Sequence, residues 1–153
     1  MARNDVHAFA SFEEKSKEGV GFNLSTNTLK LAIVNNALTP SVGMSDPRWG
    51  SGGSNDFSAH EVAHGTSYTG PITLTGVTYT RSGNVMTLAA SNLSTLPLDS
   101  SGFTNGYYAI IYNDTVSGKY ALGWLDLGGP ISLQLGALII NWNSAGIFTH
   151  TVA

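Results

Sequence analysis

The chain has 153 residues, of which 42% are hydrophobic and 11% charged, with a formal net charge of −3 and no cysteine. Gly, Ser, Thr and Asn together supply 62 residues, whereas Glu and Lys are too scarce to cover a helical bundle. The composition indicates one all-β domain over residues 1–153, and the lack of cysteine excludes disulfides, thiolate nucleophiles and cysteine-based metal sites.

The few charges are concentrated near the N-terminus, where 7 of the 17 charged residues lie in the first 18 positions. No stretch collects several Lys or Arg residues, so nucleic acid is not an expected partner. The N-terminus lacks the apolar core of a secretory signal, and no run approaches the roughly 20 apolar residues of a membrane span. We therefore expect a chain that stays in the cytoplasm of its producing cell and does not bind membranes.

A short amphipathic helix is predicted over residues 5–18. Asn4 or Asp5 can cap its start, and the spacing of Phe9 and Phe12 places both rings on one side. We expect that side to lie on the sheet that follows, rather than on a membrane surface.

The next elements in the chain are a strand at 28–34 and a loop at 39–58 that is rich in Gly and Pro. At about 20 residues, this loop is longer than most connections, which indicates either an interaction loop or a segment poorly ordered alone. Trp49 lies in its middle. Its ring can pack within its own domain or anchor a partner, and the sequence leaves both open.

Alternating or wholly apolar runs predict the remaining strands. They span 72–80 with a bulge or bend at Gly76, 85–90, 107–112, 120–127, 131–135, 138–142 and 147–149. With turns at short spacing, roughly eight strands favour an antiparallel β-sandwich, jelly-roll-like, or a closed barrel.

One run matches a catalytic motif: His60-Glu61-Val62-Ala63-His64 has the H-E-x-x-H spacing of zinc metallopeptidases. That chemistry needs both histidines on one face of a helix and a third ligand. Glycines flank the run closely, the position six residues beyond His64 is Gly70, and no Glu follows residue 61. We interpret the match as a coincidence and keep a zinc peptidase as a remote alternative.

Other catalytic patterns are no better formed. The Ser117-Gly118-Lys119 run lacks the glycine spacing of a phosphate loop. Asp114 and Asp126 fall near predicted turns and strand ends, where Asp is ordinary turn chemistry, although paired carboxylates can hydrolyse glycosides. The sequence thus predicts no catalytic residue, no metal site and no cofactor.

The order of motifs resembles a family of small virion proteins of tailed bacteriophages, over nearly the whole chain. Residues 23–34 are similar to the family's D-L-x-T-D-T-x-K-V-A-L strand, and residues 61–78 to its E-V-x-G-x-G-Y run. The most specific likeness is the tail, where 109–114, 122–128 and 139–147 follow A-V-I-Y-x-D, L-I-G-Y-I-D-F-G and I-x-W-x-x-x-G-I. Two departures are a longer, glycine-rich loop at 43–57 and Gly70-Pro71 in place of paired glycines.

This resemblance implies a non-enzymatic structural protein on the outer capsid of a virion, made in the host cytoplasm. We expect a decoration or cement protein that bridges major capsid subunits and forms a homo-oligomer. The expected contact residues are Phe9, Phe12, Trp49 and Phe148.

One further alternative is a tail or head-fibre module that binds host glycans, with Trp49, Tyr107 and Tyr108 as stacking surfaces.

Overall fold

The computed structural model describes residues 6–152. Strands make up 35% of the chain and helix 8%, and the strands form two antiparallel sheets in a sandwich-like arrangement that is not closed. The prediction of an antiparallel all-β fold with one short helix is confirmed. The described strands are β1 (Val6–Ala8), β2 (Leu29–Val34), β3 (Ile72–Thr73), β4 (Thr78–Ser82), β5 (Val85–Ala89), β6 (Gly106–Asn113), β7 (Ala121–Ile131) and β8 (Phe148–Thr151). Helix α1 spans Ala10–Lys17, and a 3-10 helix, η1, spans Phe57–His60.

The larger sheet has the strand order β1-β7-β6-β2-β3. Its centre is the long pairing of β6 with β2, from Leu29 opposite Asn113 to Val34 opposite Tyr108. The smaller sheet has the order β4-β5-β8, and the hairpin of β4 and β5 closes at the pair Ser82 and Val85.

The larger sheet is buried on both faces because most positions of its central strands are apolar. In β2, Leu29, Leu31 and Ile33 belong to one apolar cluster, the main core, whereas Ala32 and Val34 belong to another, the second core. Such continuous apolar runs are typical of strands covered on both sides.

Different parts of the chain cover the two faces. The main core includes Leu88 of the smaller sheet and Phe12 of α1. The second core includes Trp49 and Phe57, from the 39–58 loop and η1. The long loop therefore covers the sheet, and of the two possibilities left open for Trp49, the ring packs within its own domain.

Asp56 holds this loop in shape. Its carboxylate accepts hydrogen bonds from the backbone N–H groups of Gly50 at 2.8 Å, Gly52 at 2.9 Å and Ser58 at 2.9 Å. These bonds outweigh partial burial and lower the pKa of Asp56. A glycine-rich segment thus gains a fixed conformation from one charged side chain.

The helix is shorter than predicted. Residues 6–8 form β1, which pairs with β7 so that Val6 lies opposite Leu125, and the predicted caps Asn4 and Asp5 lie outside the described residues. Pairing with β7 favours an extended backbone over a helix here, a tertiary effect that local spacing does not contain.

Two predicted strands are also absent from the described chain. β7 continues through Gly128-Gly129-Pro130 to Ile131, and residues 133–135 form a turn rather than a strand. Leu138 makes only an isolated bridge, to Leu96. Leu133 and Leu138 are nevertheless buried in the main core, so the apolar pattern indicated the burial of these two leucines correctly and ladder pairing wrongly.

Candidate functional site

Three of the four residues expected to contact a partner lie inside the domain. Phe9 is 0% exposed, and Phe12 and Trp49 are each 6% exposed. Phe148 is half-buried and packs edge-on against Phe12, with ring centroids 5.6 Å apart. The structure corrects the sequence interpretation here, because these aromatic rings form the protein's own cores.

Trp49 also lacks the open ring face that sugar stacking needs. It lies parallel to Tyr112 with centroids 5.1 Å apart and an interplanar angle of 12°. Tyr107 and Tyr108 are half-buried and tilted 44° to one another. The proposed glycan platform is therefore not assembled by these three rings, since Trp49 is sealed in the second core.

The zincin-like run does not form the helix on which zinc chemistry depends. η1 ends at His60, and Glu61 has extended angles of φ −58° and ψ 141°. Glu61 then forms an isolated bridge to Val34, and Val62 donates its N–H to the carbonyl of Ile33 at 3.0 Å. The run is thus an extension of the sheet edge beside β2. Within residues 6–152, no group of three or more His, Asp or Glu side chains is placed to hold a metal ion.

Glu61 has a structural environment instead. The hydroxyl of Tyr68 donates to Glu61 Oε1 at 2.8 Å, and the same hydroxyl accepts the backbone N–H of Ile33 at 3.0 Å. His64 Nε2 lies 3.2 Å from Glu61 Oε1. Burial raises the pKa of the Tyr68 hydroxyl, and its bond to Glu61 raises it further. This chain of polar groups closes the edge of β2 where β3 ends.

The two aspartates considered as a catalytic pair, Asp114 and Asp126, form ion pairs and hydrogen bonds with neighbouring residues. Asp114 bridges Lys30 at 2.9 Å and Lys119 at 3.0 Å, and the hydrogen bond from Lys30 is the largest cause of its lowered pKa. Asp126 Oδ1 accepts the N–H of Gly128 at 2.8 Å. Both carboxylates are engaged by neighbouring groups of the fold.

One concave feature of the described chain is a groove of about 750 Å³. One wall is formed by β1 and β7, with Val6, Leu125 and Leu127, and the other by the segment before and within β8, including Ile139 and Trp142. Phe148, the remaining predicted contact residue, also lines it. We refer to this feature as the groove.

Exposed apolar side chains lie on the segment that forms the second wall. Leu135 is 86% exposed at the end of a tight turn, and Ile139 is 59% exposed within the groove lining. Leu98 is 62% exposed. It lies two residues after Leu96, which forms an isolated bridge with Leu138, just beyond this turn. We call the groove together with Leu98 and Leu135 the groove face.

The segment that forms most of the groove face is also uncharged. Residues 127–152 contain no Asp, Glu, Lys or Arg. Depletion of charge is what distinguishes the centre of a protein interface from ordinary surface. The sequence shows that Leu135 and Ile139 lie in an uncharged run. Because 131–135 and 138–142 were predicted as paired strands, the exposure of both side chains was not predicted.

No helix within residues 6–152 is both long and apolar enough to cross a membrane. Comparison with protein-family models, curated proteins and solved structures gives no match to this chain.

Proposed function

We propose that the protein is a non-enzymatic structural component of a tailed-bacteriophage virion that decorates the outer capsid and bridges major capsid subunits. The observation that carries the proposal is the uncharged groove face with its exposed leucine and isoleucine side chains. The similarity of the motif order to small phage virion proteins supplies the biological setting, in which the protein is made in the host cytoplasm and joins the particle.

Leu135 and Ile139 are costly to leave in water. Covering a large aliphatic side chain stabilises a complex by about 1.5–3 kcal/mol, and both residues protrude from the same uncharged segment. Exposed apolar side chains on an uncharged segment favour a protein contact site. We assign the groove face to the capsid.

The mechanism follows from interface area. A copy that contacts two adjacent capsid subunits must be detached from at least one of them before the subunits separate. Contacts of roughly 1,000 Å² or more are typical of specific association. Repeated over a symmetric lattice, many modest contacts resist the internal pressure of packaged DNA without any chemical step.

The test uses heads of the source phage that lack this protein. Purified chain is mixed with these heads and separated on a density gradient, and we expect it to sediment with them. The double variant Leu135→Asn/Ile139→Asn should bind at least about tenfold more weakly, since tenfold corresponds to only about 1.4 kcal/mol.

Val42→Asn is the matched control, because Val42 is 55% exposed but does not line the groove; its binding should equal that of the unmodified chain. Sedimentation with tails alone would refute the capsid role, and absence from purified particles would refute the virion role as well. Equal binding by all variants would remove the groove face from the proposal.

A further inference from the structure

We infer that β4 pairs with β4 of a second copy across a two-fold axis, joining the two small sheets into one six-stranded sheet. This inference does not depend on the capsid role, because it concerns only how two copies of the chain meet. It rests on an open strand edge, on the direction of its backbone groups and on the side chains that self-pairing would bring together.

β4 is an edge strand in the described chain. It pairs with β5 over all five residues, from Thr78 opposite Ala89 to Ser82 opposite Val85, without a bulge. Within residues 6–152, no backbone hydrogen bond joins Thr78–Ser82 to any segment other than β5. Regular, open edges are the surfaces on which further strands add.

The outward backbone groups of β4 can be assigned from β5. Leu88 accepts the N–H of Ile147 at 2.7 Å, so its polar groups face β8. The backbone polar groups of successive residues point to opposite sides of a strand, so the N–H and C=O groups of Thr87 and Ala89 face β4. There they lie opposite Thr80 and Thr78. The N–H and C=O groups of Tyr79 and Arg81 therefore point away from β5, toward the open edge.

One register of self-pairing uses these groups fully. With Thr80 opposite Thr80 of the second copy, each Tyr79 lies opposite an Arg81, giving roughly four backbone hydrogen bonds. The same register places a guanidinium beside a tyrosine ring twice per dimer, an attractive cation–π arrangement. A shift centred on Arg81 would instead place two like charges opposite each other, which destabilises a strand pair.

The edge also lacks most of the features that prevent such pairing. β4 contains no Pro, no Lys and no bulge, and its only charged residue is Arg81. Arg81 Nε donates to the carbonyl of Gly83 at 2.9 Å within its own hairpin. Exposed hydroxyls at Thr78, Thr80 and Ser82 provide a polar outer surface to the joined sheet.

The chain offers a direct test because it has no cysteine. In the inferred register, Thr80 of one copy lies opposite Thr80 of the other in a non-hydrogen-bonded pair. Their Cβ atoms are then about 4.5–5.5 Å apart, close to disulfide geometry. We expect Thr80→Cys to form a covalent dimer under mild oxidation. The matched variant Thr78→Cys places its thiols four residues apart, about 13 Å, and should yield at least tenfold less dimer.

Comparable cross-linking of both variants, or none in either, would overturn the inference. A second measurement does not depend on the cysteines. Arg81→Pro removes an outward N–H and leaves the β5 pairing intact, so sedimentation equilibrium should show self-association at least several-fold weaker than in the unmodified chain. Arg81→Gln retains that N–H and should fall between the two. Self-association unchanged in Arg81→Pro, or absent from the unmodified chain at high concentration, would contradict the pairing.

Discussion

At the scale of single residues, Tyr68 shows how a buried polar atom holds this fold. Its ring is fully buried in the main core, and its hydroxyl satisfies the backbone N–H of Ile33 beyond the end of the β2–β3 pairing. Buried backbone donors without a partner are rare because water is not available to replace the lost bond.

We expect Tyr68→Phe to lower the free energy of unfolding by about 1–3 kcal/mol, since the N–H of Ile33 loses its acceptor. Urea denaturation followed by circular dichroism measures the change. Tyr107→Phe, which alters a half-buried ring of the same type, is the control and should shift stability by much less. Equal effects in the two variants would show that the hydroxyl of Tyr68 has no special role.

Glu61 illustrates what could not be read from the sequence at this scale. The run from His60 to His64 matches a zinc-binding motif. The glycines that flank it closely argue against the helix that zinc binding would need. The extended backbone at Glu61 confirms the absence of that helix. The partner of the carboxylate, Tyr68, could not be inferred, because their contact depends on the turn between them, in which the N–H groups of Thr66 and Ser67 donate to the Asp99 carboxylate.

At the scale of elements, some strands with strong local patterns were predicted within one residue, whereas the predicted strand 72–80 is two strands, β3 and β4, in different sheets. The predicted 28–34, 85–90 and 107–112 correspond to β2, β5 and β6, since continuous or alternating apolar runs are local features. β1 was missed because three residues carry too little pattern without their partner strand. The groove face was missed because its apolar residues match a strand pattern, although residues 132–147 belong to none of the described strands.

The 39–58 loop provides an element-scale prediction. Because Trp49 covers the second core, we expect Trp49→Ala to lower the free energy of unfolding by roughly 3–5 kcal/mol, as for other buried aromatic truncations. Thermal and urea unfolding measure this loss. Val42→Ala, on the same loop but exposed, should change stability little. A Trp49→Ala chain as stable as the original would show that Trp49 is a surface anchor after all.

At the scale of the whole molecule, acid stability depends on carboxylates tied to the backbone. Asp99 accepts bonds from the N–H groups of Ser67 at 2.8 Å, Thr66 at 2.7 Å and Ser101 at 3.0 Å. The bond from Ser67, followed by that from the Ser101 hydroxyl, lowers the pKa of Asp99 well below its usual range. Asp56 and Asp114 also have lowered pKa values.

A lowered folded-state pKa stabilises the protein above the unfolded pKa, about 3.9 for Asp, and this contribution is lost as the pH falls through the folded value. We therefore expect the urea midpoint to fall steadily below about pH 4. Asp99→Asn should start from a lower midpoint at neutral pH and decline less on acidification. Glu14→Gln, at an exposed position on α1, should keep the original pH profile. A pH dependence unaltered by Asp99→Asn would contradict this account.

The covering role of the 39–58 loop has a practical consequence for engineering. A long connection rich in glycine and proline is where a peptide tag or displayed epitope would ordinarily be inserted. Here insertion would separate Trp49 and Phe57, which cover the sheet together, so the cost would fall on the folding of the domain. The exposed hairpin tip at Gly83 and Asn84 offers a safer insertion point for the domain itself, because its bonds to Arg81 and Val152 lie outside both cores.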